Sequence, residues 1–309
     1  MSGAPGIAYS PIVDRPAISW PDNARVALWV ALNIEHYQYR PSPNTFITAW
    51  PRLPEPPDVM HYSYYDFGNR IGFWRMLEVL DHYRVRTTAS CNVAVLEHFP
   101  EVREALVERD WDVMSHGIYN THYLFGMNED EERAFLRHTK DIVRRHTGKQ
   151  LKGMIGPAGS VTVNTMRIMA EEGFLYSADW LIDDQPFPID AGPEKFVGIP
   201  YSSELNDDAL MGLGYDSGGY EADYFAQICR DQFDVLYEEG ATSGRVMCLG
   251  LHTYVFGHPH RIAYLAEVFD YILSHEGVWM ATADEIAEHF IEHSYDDVRK
   301  HIARSMENR

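Results

Sequence analysis

The sequence predicts an α/β protein that folds as an irregular β/α barrel of seven or eight strands. Short apolar runs alternate with amphipathic helical segments from residue 25 to residue 292, and no linker or internal repeat interrupts them. Such alternation is typical of a parallel sheet covered by helices. No glycine-rich phosphate loop follows the first strand, which disfavours a doubly wound open sheet. We expect one domain over residues 1–309, with residues 1–24 as an extended N-terminal arm.

In the first half of the chain, the apolar run "RVALWVALNI" at 25–34 predicts a buried strand. The Pro-, Tyr- and Asp-rich stretch at 41–67 predicts a long loop that serves as a lid or a wall of the site. A capped helix is predicted at 128–148, because acidic residues follow Asn128 and Gly148 lies at its end. Further strands are predicted at 86–93 and 111–116, and further helices at 69–83 and 97–109.

The second half of the chain continues the same alternation. Gly173 and Gly240 mark the ends of two predicted helices, and Pro259 marks the start of a third. Strands are predicted at 152–157, 174–180, 196–202, 245–252 and 278–282, and helices at 163–172, 220–240, 259–277 and 283–292.

The charge, cysteine and aromatic contents of the chain indicate which partners and which compartment to expect. The formal net charge of −20 would repel nucleic acid and anionic membranes, so we expect neither as a partner and expect a small-molecule substrate. Three scattered cysteines without a CxxC pair fit a reducing compartment. The first residues lack the basic start and apolar core of a signal peptide, so we expect a cytoplasmic protein. The aromatic content of 13% suits aromatic-walled pockets or subunit interfaces, and we expect a homo-oligomer.

Residues suited to acid–base chemistry, metal binding or hydrogen bonding follow several predicted strands at their carboxyl ends. β/α barrels place their active sites at that end of the strands. We therefore expect these side chains to meet at one rim of the barrel. They are Asn33, Glu35, His36, Asn92, His116, Gly156, Pro157, Asp179, Trp180 and His252.

Glu35 and His252 are the candidate catalytic residues. Glu35 follows an apolar strand, so partial desolvation should raise its pKa and suit a general base or a metal ligand. The alternative is a structural salt bridge to Arg25 or Arg40. His252 ends the strand at 245–252, where it could protonate a leaving nitrogen or simply be a hydrogen-bonded core histidine.

The stretch "DVMSHGIYNTHY" at 112–123 holds two histidines six residues apart. This spacing separates them around a helix but keeps them on one side of an extended segment. His116 ends a predicted strand and is a candidate metal ligand, whereas His122 begins an aromatic loop and could be an ordinary loop residue. The carboxylates of Asp179, Asp183 and Asp184, in "DWLIDDQPF", could orient polar substrate groups or cap the turn before Pro186.

Other catalytic patterns are absent. The sequence contains no GxSxG, HExxH or P-loop motif, and Cys91 has no motif context for a nucleophile. We therefore expect neither a serine nor a cysteine acyl-enzyme, and no organic cofactor.

An ordered set of phrases runs along the chain: "LNIE" (32–35), "SHG" (115–117), "GPAG" (156–159), "DWLIDDQPF" (179–187), "PYSSELND" (200–207), "DQFDVLYEEG" (231–240), "LHTYVFGHPHR" (251–261) and "VWMATADEIAEHF" (278–290). In this order they resemble the polysaccharide deacetylase superfamily, whose NodB homology fold is an irregular β/α barrel. The resemblance is strongest to its small-molecule branch, the PuuE-type allantoinases and cyclic imide hydrolases. It extends from about Val26 to Phe290.

The resemblance implies hydrolysis of a carbon–nitrogen bond that is not a peptide bond. Deacetylases of the family hold a divalent metal with Asp–His–His, use a second Asp as base and a later His as acid. On that pattern, His252 matches the acid and His116 the first histidine ligand. The second family histidine falls four residues after the first, which is Asn120 here, and His122 lies two residues later.

The acidic motif also departs from the family pattern. If the motif is a pair of adjacent acids, Glu35 is the base and His36 the ligand; if it is acid–x–acid, Asn33 replaces the base and Glu35 is the ligand. Ile155 stands where deacetylases usually have an arginine that braces the base. Metal-independent members of the branch also lack part of the metal-binding set. The resemblance therefore also allows hydrolysis without a tightly held ion.

Our leading hypothesis is a hydrolase of a small, cyclic amide, ureide or imide. Glu35 would activate water or hold a metal, and His252 would protonate the leaving nitrogen. The expected substrate-binding residues are Asn33, Asn120, Trp180 and Asp184, and the ligands of one divalent ion (Zn, Mn or Co), if it is bound, are His116, His36 and His122. The alternatives are a metal-dependent carbohydrate N-deacetylase and a catalytically inactive barrel that only binds a ligand.

Overall fold

The computed structural model describes residues 6–41, 56–212 and 219–307. Strands and helices alternate through these ranges, which confirms the predicted α/β class. The strands are β1 (Val26–Ile34), β2 (Thr88–Cys91), β3 (Asp112–Ser115), β4 (Gly153–Met154), β5 (Tyr176–Ser177), β6 (Phe187–Ile189), β7 (Phe196–Gly198), β8 (Arg245–His252) and β9 (Val278–Met280). The helices are α1 (Val59–Phe67), α2 (Phe73–His82), α3 (Val95–His98), α4 (Pro100–Glu108), α5 (Glu129–Thr147), α6 (Thr165–Glu171), α7 (Asp207–Met211), α8 (Ala222–Glu239), α9 (Thr253–Phe256), α10 (Ile262–Leu273), α11 (Ala283–His293) and α12 (Tyr295–Glu307). Within the described ranges, no helix is both long and apolar enough to cross a membrane.

One curled sheet contains these strands. Its path runs β6, β7, β5, β4, β3, β2, β1, β8, and β9 pairs with the first residues of β1. Among the described strands, all neighbours are parallel except the antiparallel pair β6–β7. Chain segments cover the outer edge of β8, where Asn206 bridges to Gly250 and the Val246 N–H donates a 2.8 Å hydrogen bond to the Asp184 carbonyl. The sheet is an irregular β/α barrel, as predicted.

The side-chain alternation of β1 separates the barrel interior from the outer core. Trp29 and Ala31 pack with inward-facing residues of other strands, whereas Leu28 and Val30 pack against the surrounding helices. Every residue of β1 is buried, as in central strands of parallel sheets. Each large apolar side chain such as Leu28 contributes roughly 1.5–3 kcal/mol by its burial. Because side chains alternate, Glu35 continues the inward row just past the end of β1.

The stretch predicted as a long loop at 41–67 is partly helical. Residues 42–55 lie outside the described ranges, but Val59–Phe67 form α1, so that part of the prediction is wrong. The Asp58 side chain caps the helix by accepting a 3.1 Å hydrogen bond from the His61 backbone N–H. Tyr65 of α1 stacks on Tyr37 with ring centroids 3.6 Å apart. Tertiary packing of this kind stabilises a helix that sequence periodicity does not reveal.

The described part of the predicted N-terminal arm, residues 6–24, contains two short 3₁₀ turns and otherwise irregular backbone. The buried Trp20 indole N–H donates a 2.9 Å hydrogen bond to the Arg245 carbonyl at the start of β8. The Ile18 N–H donates to the Ser243 hydroxyl at 3.0 Å. These contacts attach the arm to the N-terminal end of the barrel.

Helix α11 covers the N-terminal ends of several strands. Its Ala283 N–H donates to the Thr88 hydroxyl at 2.8 Å, and the Tyr176 hydroxyl donates to Asp284 at 2.8 Å. Lys152 lies 3.4 Å from the other oxygen of Asp284. Burial and the nearby Asp112 raise the pKa of Asp284 to about 7, against the opposing effect of Lys152. This end of the barrel therefore holds a buried carboxyl group of its own.

Candidate active site

Three distant segments bring Glu35, His116 and His252 together at the carboxyl ends of β1, β3 and β8. Oε1 of Glu35 lies 3.4 Å from Nε2 of His252 and 3.6 Å from Nε2 of His116. Oε2 of Glu35 accepts a 2.8 Å hydrogen bond from the Asn120 amide. All four side chains are buried, and Glu35 is only 3% exposed. The expectation that these residues share one rim is met in the structure.

His252 is held by a second carboxylate, Asp207, at the start of α7. The Nδ1 atom of His252 lies 2.6 Å from Asp207 Oδ1, and the His252 backbone N–H donates to both Asp207 oxygens at 2.9–3.0 Å. Burial alone would lower the pKa of His252, but the charges and hydrogen bonds of Asp207 and Glu35 raise it well above 6.5. Asp207 and Glu35 therefore favour the protonated form of His252.

The pKa of Glu35 is the reverse of the sequence expectation. Burial acts to raise it, as predicted, but hydrogen bonds and charges from His116 and His252 outweigh burial and lower the pKa to about 2. The prediction of a raised pKa is wrong because it considered the apolar strand and not the imidazoles that arrive from β3 and β8. Glu35 is ionised at any pH where the protein is expected to work.

The two candidate ligands His36 and His122 lie away from Glu35. The His36 ring packs against the rings of His98 and Phe99, each with centroids 5.2 Å apart, and burial lowers its pKa to about 4. His122 packs edge-on against Phe135 of α5 at 5.5 Å. His36 follows Glu35 directly, so its side chain takes the opposite face of the extended backbone. The geometry therefore gives no support to the assignment of His36 and His122 as metal ligands.

The described side chains do not group into a site for a metal ion. Over residues 6–41, 56–212 and 219–307, no group of three or more His, Cys, Asp or Glu side chains could hold an ion. Asn120, four residues after His116, turns its amide nitrogen, a donor, towards both Glu35 and the Tyr37 hydroxyl, at 2.8 and 2.6 Å. The His116 Nδ1 lies 3.0 Å from the Ile155 carbonyl, which leaves Nε2 facing Glu35.

Two other predicted rim residues support the site from below. The Asn92 carboxamide oxygen accepts a 2.8 Å hydrogen bond from the His36 N–H, and its nitrogen donates to the His116 carbonyl. Asn33 lies one layer beneath Glu35, where its amide donates to the Tyr201 hydroxyl at 3.2 Å and to backbone carbonyls. Asn33 is 1% exposed and its amide is occupied by these contacts, and its assignment as a substrate-binding residue stays a prediction.

The structure does not bring Asp184 or Trp180 to Glu35. The Asp184 carbonyl pairs with Val246, six residues before His252 on β8, which is roughly 20 Å at about 3.3 Å per residue. The chain after β5 thus runs back towards the N-terminal end of the barrel. The Trp180 indole N–H donates to the Met166 sulfur at 3.4 Å, so its polar edge is directed at α6. Both assignments as substrate-binding residues lack support in the geometry.

Several site residues are absent from the sequence prediction. Tyr37, Tyr65 and Tyr254 form a wall in which Tyr37 stacks on Tyr65 and Tyr65 meets Tyr254 edge-on at 4.5 Å. Asp208 accepts a hydrogen bond from Tyr254, and burial raises its pKa to about 6. Asp207 and Asp208 follow the phrase "SELN" at 203–206, whose Asn206 caps α7; this cap is the one sequence signal that could have placed them.

Comparison with known proteins places this geometry in a family. A profile for polysaccharide deacetylases matches residues 54–177. The structure resembles that of a probable polysaccharide deacetylase from Pseudomonas aeruginosa PAO1, with a TM-score of 0.82 and 31% identity over 92% of this chain and 97% of that one. It resembles Puue allantoinase nearly as well, with a TM-score of 0.81 and 30% identity over 92% and 96%. The "Putative polysaccharide deacetylase" of Schizosaccharomyces pombe is 27% identical over 92% of this chain and 94% of that protein.

Proposed function

The chain belongs to the polysaccharide deacetylase superfamily and is a hydrolase of carbon–nitrogen bonds other than peptide bonds, and on this premise we propose that its substrate is a small cyclic amide, ureide or imide. One observation carries the proposal: the Glu35 carboxylate lies between the imidazoles of His116 and His252, with the amide of Asn120 on its other oxygen. This set of groups suits proton transfer to and from water and a leaving nitrogen.

Glu35 and His116 activate water in this proposal. The His116 Nδ1 lies 3.0 Å from the Ile155 carbonyl oxygen, so Nδ1 carries a proton and the ring is held with Nε2 directed at Glu35 Oε1, 3.6 Å away. Water that donates to Glu35 Oε1 beside this ring keeps a lone pair free to attack the substrate carbonyl. Asn120 holds the Glu35 carboxylate in place for this step. General-base catalysis of this kind contributes about 10²–10⁴-fold.

His252 supplies the proton for the leaving nitrogen. The imidazolium between Asp207 and Glu35 is a hydrogen-bond donor already in the resting site. When it gives its proton to the nitrogen, the positive charge that lowers the pKa of Glu35 disappears. Glu35 then holds the proton taken from water more tightly. This coupling allows a carboxylate with a pKa of about 2 to act as a base.

The surroundings of the site suit a compact substrate with N–H donors. The stacked Tyr37 and Tyr65 rings offer a flat wall, and Asp208 lies close enough to His252 and Glu35 for their charges to affect its pKa. A carboxylate there can accept a hydrogen bond from a ring N–H of a ureide or imide. The 30% identity with Puue allantoinase over 92% of the chain supports the same substrate class.

Turnover of allantoin, hydantoin and succinimide tests the proposal. We expect wild type to open at least one of these rings, and Glu35→Gln and His252→Asn each to lower kcat/KM by about 10²–10⁴-fold. Glu104→Gln, which changes a side chain that is 73% exposed, is the matched control and should retain full activity. Equal rates for wild type and Glu35→Gln would remove Glu35 from the chemistry.

A carbohydrate N-deacetylase is the second candidate, favoured by the names of the Pseudomonas and Schizosaccharomyces relatives. The same assays should therefore include N-acetylglucosamine oligomers with added zinc, manganese or cobalt, and elemental analysis of the protein. Acetate release that depends on a stoichiometric ion would favour this candidate over ring opening. Thermal stabilisation by a ligand without any product would favour the inactive barrel instead.

A further inference from the structure

We infer that the π-helical turn at residues 68–72 fixes Glu35 relative to His252, and that its Asn69 is a positioning residue for the hydrolysis. The turn joins α1 to α2 and contacts both the Glu35 segment and the segment after His252. Single π-helical turns inside helices frequently occur at functional sites. This inference rests on the proposed roles of Glu35 and His252.

Asn69 binds the backbone of Glu35. Its amide donates a 2.8 Å hydrogen bond to the Glu35 carbonyl oxygen, and the side chain is only 3% exposed. Glu35 lies just past the end of β1, where the ladder with β2 and β8 no longer holds the chain. Asn69 therefore fixes the carbonyl side of the peptide after the base, whose N–H side donates to Asn92. Among the described residues, the other amide atom, Oδ1, has no hydrogen-bond partner, a cost that a purely structural amide rarely retains.

The same turn packs directly on the backbone that follows His252. A Cβ atom at Gly72 would lie 1.9 Å from the Thr253 carbonyl oxygen, and one at Gly68 would lie 2.9 Å from the Tyr254 nitrogen. A Cβ atom at Gly257 would lie 2.2 Å from the Gly72 Cα atom. Only glycine allows the turn and α9 to approach this closely. The contact leaves no space for the two segments to shift independently.

The turn therefore connects the base and the acid through two contacts, one a hydrogen bond and one a close backbone approach. Their separation is 3.4 Å between Glu35 Oε1 and His252 Nε2, and with the 3.6 Å distance to His116 it sets the electrostatic surroundings of the base. A misplacement of about 1 Å in an active site can cost about 10²-fold in rate. Loss of the Asn69 donor should change the geometry of Glu35 while the barrel stays folded.

The test compares Asn69→Ala and Asn69→Asp with wild type on whichever cyclic substrate is turned over. We expect Asn69→Ala to lower kcat by about 10–100-fold and to change KM by less than about threefold. An ionised Asp cannot donate to the Glu35 carbonyl, whereas a protonated one can. The kcat of Asn69→Asp relative to wild type should therefore rise as the pH is lowered from 8 to 5, a response that a general loss of stability would not produce.

Gln185→Ala is the matched control. Gln185 is 1% exposed and donates at 2.9 Å to the Gly244 carbonyl, so the variant removes a comparable buried amide at the opposite end of β8. We expect it to lower the melting temperature about as much as Asn69→Ala and to leave kcat unchanged.

If Asn69→Ala lowers kcat no more than Gln185→Ala while Glu35→Gln is inactive, the inference is overturned and the proposed function stands. If Glu35→Gln is fully active, the proposed role of Glu35 is overturned, and the inference about Asn69 falls with it. Should Asn69→Ala not fold, the test rests on Asn69→Asp. If the kcat of Asn69→Asp relative to wild type does not change between pH 8 and pH 5, the inference is overturned and the proposed function is unaffected.

Discussion

Two buried carboxyl groups at opposite ends of the barrel have opposite pKa shifts. Glu35 at the carboxyl ends of the strands is 3% exposed and Asp284 at the amino ends is 4% exposed. The pKa of Glu35 is lowered to about 2, whereas the pKa of Asp284 is raised to about 7. Burial acts to raise both. The difference therefore comes from neighbours.

The neighbours differ in charge and number. Glu35 faces two imidazoles and an amide donor, whereas Asp284 faces one tyrosine hydroxyl, one lysine at 3.4 Å and the like charge of Asp112. At one end of the barrel the fold provides enough donors and positive charge to keep a carboxylate ionised; at the other it does not. Depth of burial alone predicts neither ionisation state, and this is why an apolar strand before Glu35 is a misleading signal.

The largest effect is expected from removing the carboxylate behind His252. Asp207→Asn keeps the shape of the residue but removes the charge that holds His252 protonated and oriented. We expect kcat/KM to fall by about 10²–10⁴-fold, with folding retained. Steady-state kinetics alongside Asp141→Asn, a change at a side chain that is 61% exposed, provide the measurement and its control. Full activity in Asp207→Asn would show that the imidazolium does not depend on this pair.

The pH dependence of kcat/KM distinguishes the ionisation of Asp208 from that of Glu35. Wild type should lose activity below about pH 6, because Asp208 becomes protonated there and cannot accept a substrate N–H. Asp208→Asn should remove this limb and keep its remaining activity down to about pH 4, since Glu35 stays ionised until about pH 2. Above the raised pKa of His252, activity should fall about tenfold per pH unit. An acid limb near pH 4.5 in Asp208→Asn would contradict the lowered pKa of Glu35.

The stability of the other end of the barrel should depend on pH with the opposite sign. Because the pKa of Asp284 is raised from 3.8 to about 7 on folding, the native protein binds a proton that the unfolded chain releases between these values. Its contribution to stability is therefore lost as the pH rises through 4 to 7. Asp284→Asn removes this loss, so its free energy of unfolding relative to wild type should rise by about 1–3 kcal/mol over that range.

Urea unfolding at several pH values between 4 and 8 measures this difference. Asp141→Asn, at an exposed position, should show no such trend. A constant difference between Asp284→Asn and wild type would mean that Lys152 keeps Asp284 ionised, and the contrast between the two ends would then disappear.

The smallest effect is expected from an exposed ion pair beside Asp284. Arg86 forms two 2.8 Å hydrogen bonds to Glu285 in the first turn of α11, but its side chain is 51% exposed. Arg86→Ala should lower the free energy of unfolding by about 0.2–1 kcal/mol, because solvent screens such pairs. The loss should be the same at pH 5 and pH 8 and smaller in high salt. A loss that changes strongly with pH would show that Arg86 influences Asp284.

Sequence patterns predicted the fold and the central residues of the site because their signals are local. A continuous apolar strand such as β1 indicates a parallel sheet, and a polar residue just past its end indicates the active rim. This rule predicts Glu35, His116 and His252, and the structure places an imidazole nitrogen of each histidine within 3.6 Å of Glu35 Oε1. The rule fails for Asp184, because β5 is short and the chain after it turns back along the barrel.

Residues whose roles depend on contacts between distant segments could not be recognised from sequence patterns. Asn69 lies in a stretch predicted as the start of an ordinary helix, and its bond to Glu35 depends on how α1 and α2 pack beside β1. His36 and His122 have the right residue type for metal ligands, but packing against Phe99 and Phe135 turns them elsewhere. Residue type and position along the chain do not specify which way a side chain faces in a loop.

The amino-acid sequence by itself determined the α/β barrel, the apolar rows that hold it together and the end of the strands at which polar groups collect, since these follow from periodicity within single segments. Only the tertiary structure decided that Glu35 is a low-pKa carboxylate between two imidazoles, that Asn120 directs a donor at it, and that Asp207 and Asn69 support the acid and the base. Ionisation and orientation are set by groups a few ångströms away, and those groups come from segments far apart in the chain.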